Sequence, residues 1–168
     1  MKVGILSDTH GDVARTQAAI GLLLQQQVGA VCHCGDVGSE QVLEAMATAC
    51  APHGIPVYAV LGNVDHYEPG VAGYRSGGGV TLCGRRAALE VGGRKIAVVH
   101  GDDPRLLFEV VRSQLHDYCL TGHTHLADDF QEGRTRVINP GAVYRATTPS
   151  VAVLDLERDQ LQVLPLRV

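Results

Sequence analysis

Apolar positions in the first third of the chain alternate between short continuous runs and stretches with helical spacing. Short apolar runs at residues 3–6, 28–34 and 56–61 are typical of buried strands. Between the runs, two stretches carry apolar residues at helical spacing, one after Asp12 and one after Ser39, and both residues can cap a helix. This strand–helix–strand–helix–strand order predicts right-handed crossovers and a parallel sheet.

The remainder of the chain is richer in strands. The glycine-rich segment 66–79 is predicted to be a mobile surface loop, because no Gly-Lys-Ser/Thr sequence follows its glycines as in a phosphate-binding loop. A helix is predicted to begin at Asp103-Pro104, with a core face of Leu107, Val110, Val111 and Leu115. The other apolar runs predict strands at 86–91, 94–99, 117–121, 126–131, 134–138, 150–156 and 161–166.

This pattern predicts a single α/β domain over residues 1–168, with one largely parallel sheet, one largely antiparallel sheet and helices outside both. Five cysteines without framework spacing indicate a reducing compartment rather than a disulfide scaffold. No apolar run approaches the roughly 20 residues that span a bilayer, and the N-terminus is too short in apolar residues for a signal peptide. We therefore expect a cytoplasmic protein with no membrane contact.

The charge of the chain limits the kinds of partner that it is expected to bind. The net charge is −4 and there is no Trp, so an extended track for nucleic acid is not expected, and neither is a nuclease acting on a polymer. Twelve of the 14 cationic residues are Arg. Arg binds phosphate well, so a local basic pocket remains open, although compositional bias explains the excess equally well.

Five short polar clusters each follow an apolar run. They are Asp8-Thr9-His10, Gly35-Asp36, Gly62-Asn63, His100-Gly101 and Gly122-His123-Thr124-His125. Any one of them could be a turn or a half-buried polar residue. Together they place metal-type ligands at the carboxyl ends of strands, where α/β proteins build their sites. Cys32-His33-Cys34 is a further candidate, but it ends a buried strand, which favours a structural role.

These clusters, with Gly62-Asn63-Val64-Asp65 and Asn139-Pro140-Gly141, resemble the calcineurin-like metallophosphoesterase superfamily. The short length and the Gly-Asn-x-Asp variant are similar to its small bacterial and archaeal phosphodiesterase branch. The resemblance runs from residue 3 to about residue 155. It implies an α/β fold, a four-layer α/β/β/α sandwich of two mixed sheets flanked by helices.

The resemblance also implies two divalent metal ions. One would be held by Asp8, His10, Asp36 and His125, and the other by Asp36, Asn63, His100 and His123. This nitrogen-rich set favours Mn, with Ni, Co, Fe or Zn as alternatives. The implied reaction is hydrolysis of a small phosphodiester, in which a hydroxide bridging the metals attacks phosphorus in line and Asp36, Asn63 and His123 are the catalytic residues.

Some positions depart from the family pattern. Val64 replaces a His that is thought to protonate the leaving group in many members, so leaving groups of low pKa should be favoured unless His66 substitutes. Asp65 could orient a ligand His or could be a turn residue. Asp102 replaces the second His of a His-Gly-His sequence and would repel phosphate unless it is turned away or serves the start of the helix.

A different class of function is also open. One eukaryotic branch of the family, a subunit of the retromer coat, serves mainly as a protein-binding scaffold. Such scaffolds tend to lose metal ligands, whereas all seven implied positions here keep competent side chains. The sequence therefore favours a phosphodiesterase, with a small substrate and a possible homo-oligomer.

Overall fold

The computed structural model describes residues 1–75 and 77–167. Within them, the helices are α1 (Val13–Gln25), α2 (Glu40–Cys50), α3 (Pro69–Ala72) and α4 (Pro104–Arg112). The strands are β1 (Lys2–Leu6), β2 (Ala30–His33), β3 (Val57–Ala59), β4 (Val80–Leu82), β5 (Arg86–Val91), β6 (Arg94–Val99), β7 (Tyr118–Leu120), β8 (Ala127–Glu132), β9 (Thr135–Pro140), β10 (Ser150–Asp155) and β11 (Gln160–Pro165). None of the helices in these residues is both long and apolar enough to cross a bilayer.

The strands form two mixed sheets. The first has the order β11-β10-β1-β2-β3-β4, in which β1 to β4 are parallel and β10 and β11 are antiparallel additions. The second has the order β5-β6-β7-β9-β8. Its outer pairs are antiparallel, but β6–β7 and β7–β9 are parallel. The second sheet thus contains more parallel pairing than expected, because α4 returns the chain from β6 to a parallel β7, and β8 returns it to a parallel β9.

Alternation along β1 shows how the sheets and helices are layered. Val3 and Ile5 lie in the core between the two sheets, whereas Leu6 lies in the core shared with α1 and α2. On the far side of the second sheet, Val110 of α4 packs in the same cluster as Ala97 of β6. The order is helix, sheet, sheet, helix, so the predicted four-layer sandwich is confirmed.

The predicted ends of the helices agree with the structure in part. α1 begins after Asp12, whose carboxylate accepts a hydrogen bond from the Arg15 N–H at 2.9 Å. α2 begins after Ser39, but the Ser39 side chain makes no capping bond, so that part of the prediction is wrong. α4 ends at Arg112, and Leu115 is 65% exposed instead of lying in the core. Gln114 has a left-handed φ of 55°, which is incompatible with continuing the helix.

The segment predicted as a mobile loop contains structure. A 3₁₀ turn covers Asp65–Tyr67, and the short helix α3 buries Val71 in the core beside α1 and α2. Residue 76 lies outside the described residues. β4 was missed entirely, because three residues between glycines give almost no periodic signal and their pairing partner, β3, is distant in sequence.

Candidate metal centre

The predicted ligands lie on loops at the carboxyl ends of five strands. Asp8 and His10 follow β1, Asp36 follows β2, Asn63 follows β3, His100 follows β6, and the two-histidine cluster follows β7. Five of these residues have left-handed φ angles: Asp8 57°, His10 46°, Asp36 54°, His123 69° and His125 60°. Non-glycine residues in this region are strained by about 1–3 kcal/mol each, and such strain is concentrated at functional sites.

One group of candidate ligand atoms belongs to Asp8, His10 and His125. The Asp8 Oδ1 atom is 3.1 Å from His125 Nε2 and 3.9 Å from His10 Nε2. The two imidazole Nε2 atoms are 3.5 Å apart. All three ligand atoms lie within 4.8 Å of one another, so a single cation can contact them together.

A second group consists of Asp8, Asp36 and His100. His100 Nε2 is 3.3 Å from Asp36 Oδ1 and 4.0 Å from Asp8 Oδ1. The other carboxylate oxygen, Asp36 Oδ2, lies 3.8 Å from His10 Nε2. The two oxygens of Asp36 thus face histidines of different groups, which is the arrangement that a carboxylate bridging two cations requires.

The polar atoms at the centre of these groups are incompletely satisfied. Asp8, Asp36 and His100 are each at most 2% exposed. Asp8 Oδ1 and His100 Nε2 have no hydrogen-bond partner in spite of their burial. A buried polar atom without a partner costs about 1–3 kcal/mol, and more when it is charged. Carboxylate oxygens and imidazole nitrogens that converge without donors between them fit divalent transition metals.

The histidines are oriented by the backbone. His100 Nδ1 donates to the Cys34 carbonyl at 2.8 Å, and His125 Nδ1 donates to the Arg145 carbonyl at 3.1 Å. Both bonds leave Nε2 directed into the site. Burial lowers the pKa of His100, but the facing carboxylates of Asp36 and Asp8 outweigh burial, so the pKa is raised. Burial raises the pKa of Asp36, but the His100 and His10 rings and the Val64 N–H outweigh it, so that pKa is lowered.

Three predicted residues lie at the rim. The His123 ring meets that of His100 edge to face, with ring centroids 5.1 Å apart, and the His123 N–H donates to Asp8 Oδ2 at 3.2 Å. His123 is exposed, and so are Asn63 and His66. Among the described residues, neither Asn63 nor His66 contributes a hydrogen bond to the two groups. The structure therefore brings together Asp8, His10, Asp36, His100 and His125, with His123 beside them.

Asp65 connects two of the site loops. Its carboxylate accepts hydrogen bonds from the N–H groups of Val37 at 3.1 Å, Gly38 at 2.9 Å and Gly62 at 2.8 Å. Burial raises the pKa of Asp65 in spite of these bonds. In the described residues its hydrogen bonds go to backbone N–H groups and not to a histidine. The carboxylate fixes the backbone next to Asp36.

His33 has a structural role, as the sequence favoured, although its hydrogen-bond partners were not predicted. Its Nε2 lies 2.9 Å from Thr9 Oγ1, and its Nδ1 accepts from the Gly35 N–H at 3.2 Å. Complete burial lowers the pKa of His33 to about 3, so the ring is neutral and joins the loops after β1 and β2. Neighbouring Cys32 is buried as predicted, and burial raises the pKa of its thiol to about 12.

Two further contacts explain motif residues. Asn139 Nδ2 donates to the Gly122 carbonyl at 2.7 Å and to Thr124 Oγ1 at 3.1 Å, and so holds the loop with the two histidines. Asp102 forms an ion pair with Arg85 at 3.0 Å, whereas Asp103 caps α4. The extra carboxylate is therefore neutralised by Arg85.

Close packing around the ligands requires glycine at two positions. A Cβ at Gly62 would collide with Asp36 Oδ1, and a Cβ at Gly122 would collide with Ser7 Oγ. Any side chain at these positions would displace a ligand loop, which gives a physical reason for glycine in both motifs.

A fold and a site of this kind define a class of metal-dependent phosphoesterases. The chain belongs to the calcineurin-like phosphoesterase superfamily, whose domain model matches residues 1–159. It is 27% identical to phosphodiesterase MJ0936 of Methanocaldococcus jannaschii over 99% of both chains. It is also similar to the structure of an archaeal phosphodiesterase, with 25% identity, a TM-score of 0.79, and coverage of 99% of this chain and 100% of that one. The Entamoeba histolytica protein Vps29 complexed with Zn²⁺ shares the fold at 16% identity and a TM-score of 0.63, with 99% and 100% coverage.

Proposed function

We propose that this phosphoesterase is a dinuclear metal-dependent phosphodiesterase. The observation that carries the proposal is the pair of ligand groups that share Asp8 and face the two oxygens of Asp36. The family model and the phosphodiesterase named among its relatives support the reaction class. A cytoplasmic location, a homo-oligomer and a single domain over residues 1–168 stay predictions.

The residues present fit two cations. In the proposal, Asp8, His10, Asp36 and His125 hold one of them, and Asp36, Asn63, His100 and His123 hold the other. Mn²⁺ is the proposed metal, with Ni, Co, Fe or Zn as alternatives, because imidazole and carboxylate ligands suit these ions. When bound, such a pair of cations activates water and neutralises charge on a phosphoryl group.

In the proposal, side chains at the rim contact the substrate, and no cysteine acts as a nucleophile. Asp36, Asn63 and His123 are the proposed catalytic residues, and Asn63 and His123 are exposed at the rim, where they can reach a bound phosphodiester. Burial keeps the Cys32 and Cys119 thiols protonated, raising the pKa of each to about 12, which argues against a cysteine nucleophile. Val64 brings no proton donor, so aryl diesters are the expected substrates.

Chelation followed by reconstitution tests the proposal. Protein stripped by a chelator should be inactive on bis(4-nitrophenyl) phosphate, and Mn²⁺ should restore turnover. Inorganic phosphate release from an alkyl phosphomonoester such as glycerol 2-phosphate should stay far lower in the same samples, because its leaving group has a high pKa. Full turnover by the stripped protein, with metal content verified by elemental analysis, would contradict the proposal.

A retromer-subunit-like scaffold is the alternative function. Two large apolar side chains, Phe108 of α4 and Phe130 of β8, are exposed and line one shallow groove. Such a patch is a common feature of protein-binding surfaces. The complete ligand set favours the enzyme. A protein that binds the metals and yet cleaves no diester in the reconstitution panel would favour the scaffold.

A further inference from the structure

The residue after Tyr144 is fixed to the metal centre through its backbone. The Arg145 carbonyl accepts the hydrogen bond from His125 Nδ1 at 3.1 Å, and the Tyr144 N–H donates to the Asp8 carbonyl at 3.1 Å. Arg145 has a left-handed φ of 55°. Two backbone bonds to ligand loops thus hold this arginine in a strained conformation beside the site.

The aromatic ring of Tyr144 fixes the direction of the guanidinium group. Arg145 Cζ lies 5.5 Å from the ring centroid, and the same ring is 6.3 Å from the His10 ring. The stacked guanidinium therefore lies at the exposed rim on the His10 side.

Arg145 differs from the other arginine on this ring. Arg15 Cζ is 5.2 Å from the Tyr144 centroid, but Arg15 also forms an ion pair with Asp12 at 2.7 Å. Within residues 1–75 and 77–167, Arg145 has no carboxylate within ion-pair distance, and it is exposed. Its five N–H donors remain available for an anion, and the planar fork matches a phosphate group in two-point contact.

We infer that Arg145 binds a second phosphate group of the substrate, separate from the phosphodiester that the metal centre holds. The inference rests on the proposed function and narrows the substrate class to diesters that carry an additional terminal phosphate. The stack on Tyr144 keeps the guanidinium at the rim, whereas the metal-ligand atoms of Asp8, Asp36 and His100 are buried at the centre. A group bound by Arg145 therefore lies beside the diester that is cleaved.

Two matched diesters test the inference. One is thymidine 5′-(4-nitrophenyl phosphate), and the other is the same compound with a 3′-phosphate. In the Mn²⁺-loaded wild type, KM should be about tenfold lower for the 3′-phosphorylated compound, which corresponds to one charge-assisted contact. In Arg145→Gln this preference should fall to about one. Arg112→Gln is the control, because Arg112 also stacks on an aromatic ring, at 5.6 Å from Phe108, away from the site.

Product binding gives a readout that does not depend on turnover. By calorimetry, thymidine 3′,5′-bisphosphate should bind the Mn²⁺-loaded wild type about tenfold more tightly than thymidine 5′-monophosphate, and Arg145→Gln should remove the difference. A preference that is absent in wild type, or that survives Arg145→Gln, would overturn the inference. If no variant cleaves either diester, the proposed phosphodiesterase fails, while the two binding affinities still decide the role of Arg145.

Discussion

Two charged clusters of this protein each contain a pair of aspartates, but only one of them also contains the cation that the aspartates need. In the cluster around Arg136, the guanidinium makes two 2.8 Å bonds to Asp129 and a 2.7 Å bond to Asp159. Tyr118 completes the cluster with a 2.8 Å bond to Asp159. At the metal centre, Asp8, Asp36 and the histidines converge, yet Asp8 Oδ1 and His100 Nε2 have no hydrogen-bond partner.

The difference separates a structural ion-pair cluster from a binding site. Arg136 supplies the positive charge that its carboxylates need and lowers the pKa of Asp129, and that cluster is complete as it stands. The metal centre is the more deeply buried of the two and has no comparable cation among the described residues. Two buried carboxylates without one are costly unless a metal ion neutralises them. Shared residue types therefore do not identify a site, whereas unsatisfied and convergent atoms do.

The largest effect should come from Asp36→Asn. The substitution removes the charge that both cations would share but keeps an oxygen to accept the Val64 N–H, which Asp36 Oδ1 now accepts at 3.1 Å. Occupancy of both sites should fall together, and turnover of an aryl diester should drop on the order of 10³-fold. Elemental analysis and steady-state kinetics measure the two quantities.

Asp129→Asn is the matched control for that substitution, because it removes a carboxylate charge from the complete cluster. Its metal content and turnover should stay near those of wild type. If Asp36→Asn behaved like this control, the bridging assignment would be wrong and the distinction between the clusters would fail.

Much of this site could be predicted from the sequence because its ligands stand next to apolar runs. Asp8 and Asp36 follow neighbouring parallel strands, so their meeting at one edge of the first sheet follows from the strand order. His100 follows β6 of the second sheet, and the packing of the two sheets brings it beside them. His33 could not be predicted in this way, since its partners, Thr9 and Gly35, are known only from the loop geometry. The ion pair between Asp102 and Arg85 could not be predicted for the same reason. The parallel strands of the second sheet were also not predicted.

The second-largest effect should come from Val64→His, which tests whether the leaving group lacks a proton donor in wild type. Val64 is half-buried at the rim, and its N–H is held by Asp36. In wild type, the rate should depend steeply on leaving-group pKa. Val64→His should flatten that dependence and raise monoesterase activity by up to about 10²-fold, because an imidazole titrates near neutral pH and can donate a proton.

A series of esters graded by leaving-group pKa, run on both proteins, measures this effect. Val64→Asn is a control that adds polarity at the same position without a group that titrates near neutral pH. A flat dependence already in wild type would mean that another residue, His66 first, supplies the proton.

The smallest effect should come from Asp65→Asn, because Asp65 holds the backbone of the ligand loops and is not itself a ligand. Asp65→Asn keeps one oxygen acceptor where the carboxylate now accepts three backbone N–H groups. We expect a loss of about 1–3 kcal/mol in the free energy of unfolding, measured by denaturant titration in chelator, and weaker metal binding. Asp117→Asn is the control, because Asp117 accepts one backbone N–H, from Lys95 at 2.8 Å, away from the metal centre. Equal losses in both variants, with unchanged metal binding, would show that Asp65 does not support the site.

The most direct measurement is an anomalous difference map from crystals of the Mn²⁺-loaded protein, with data collected on both sides of the manganese absorption edge. The proposed centre requires two peaks about 3.5–4 Å apart, one beside Asp8, His10 and His125 and the other beside His100, with Asp36 between them. The Arg136 cluster should show none. A single peak, or peaks away from Asp36, would contradict the dinuclear assignment.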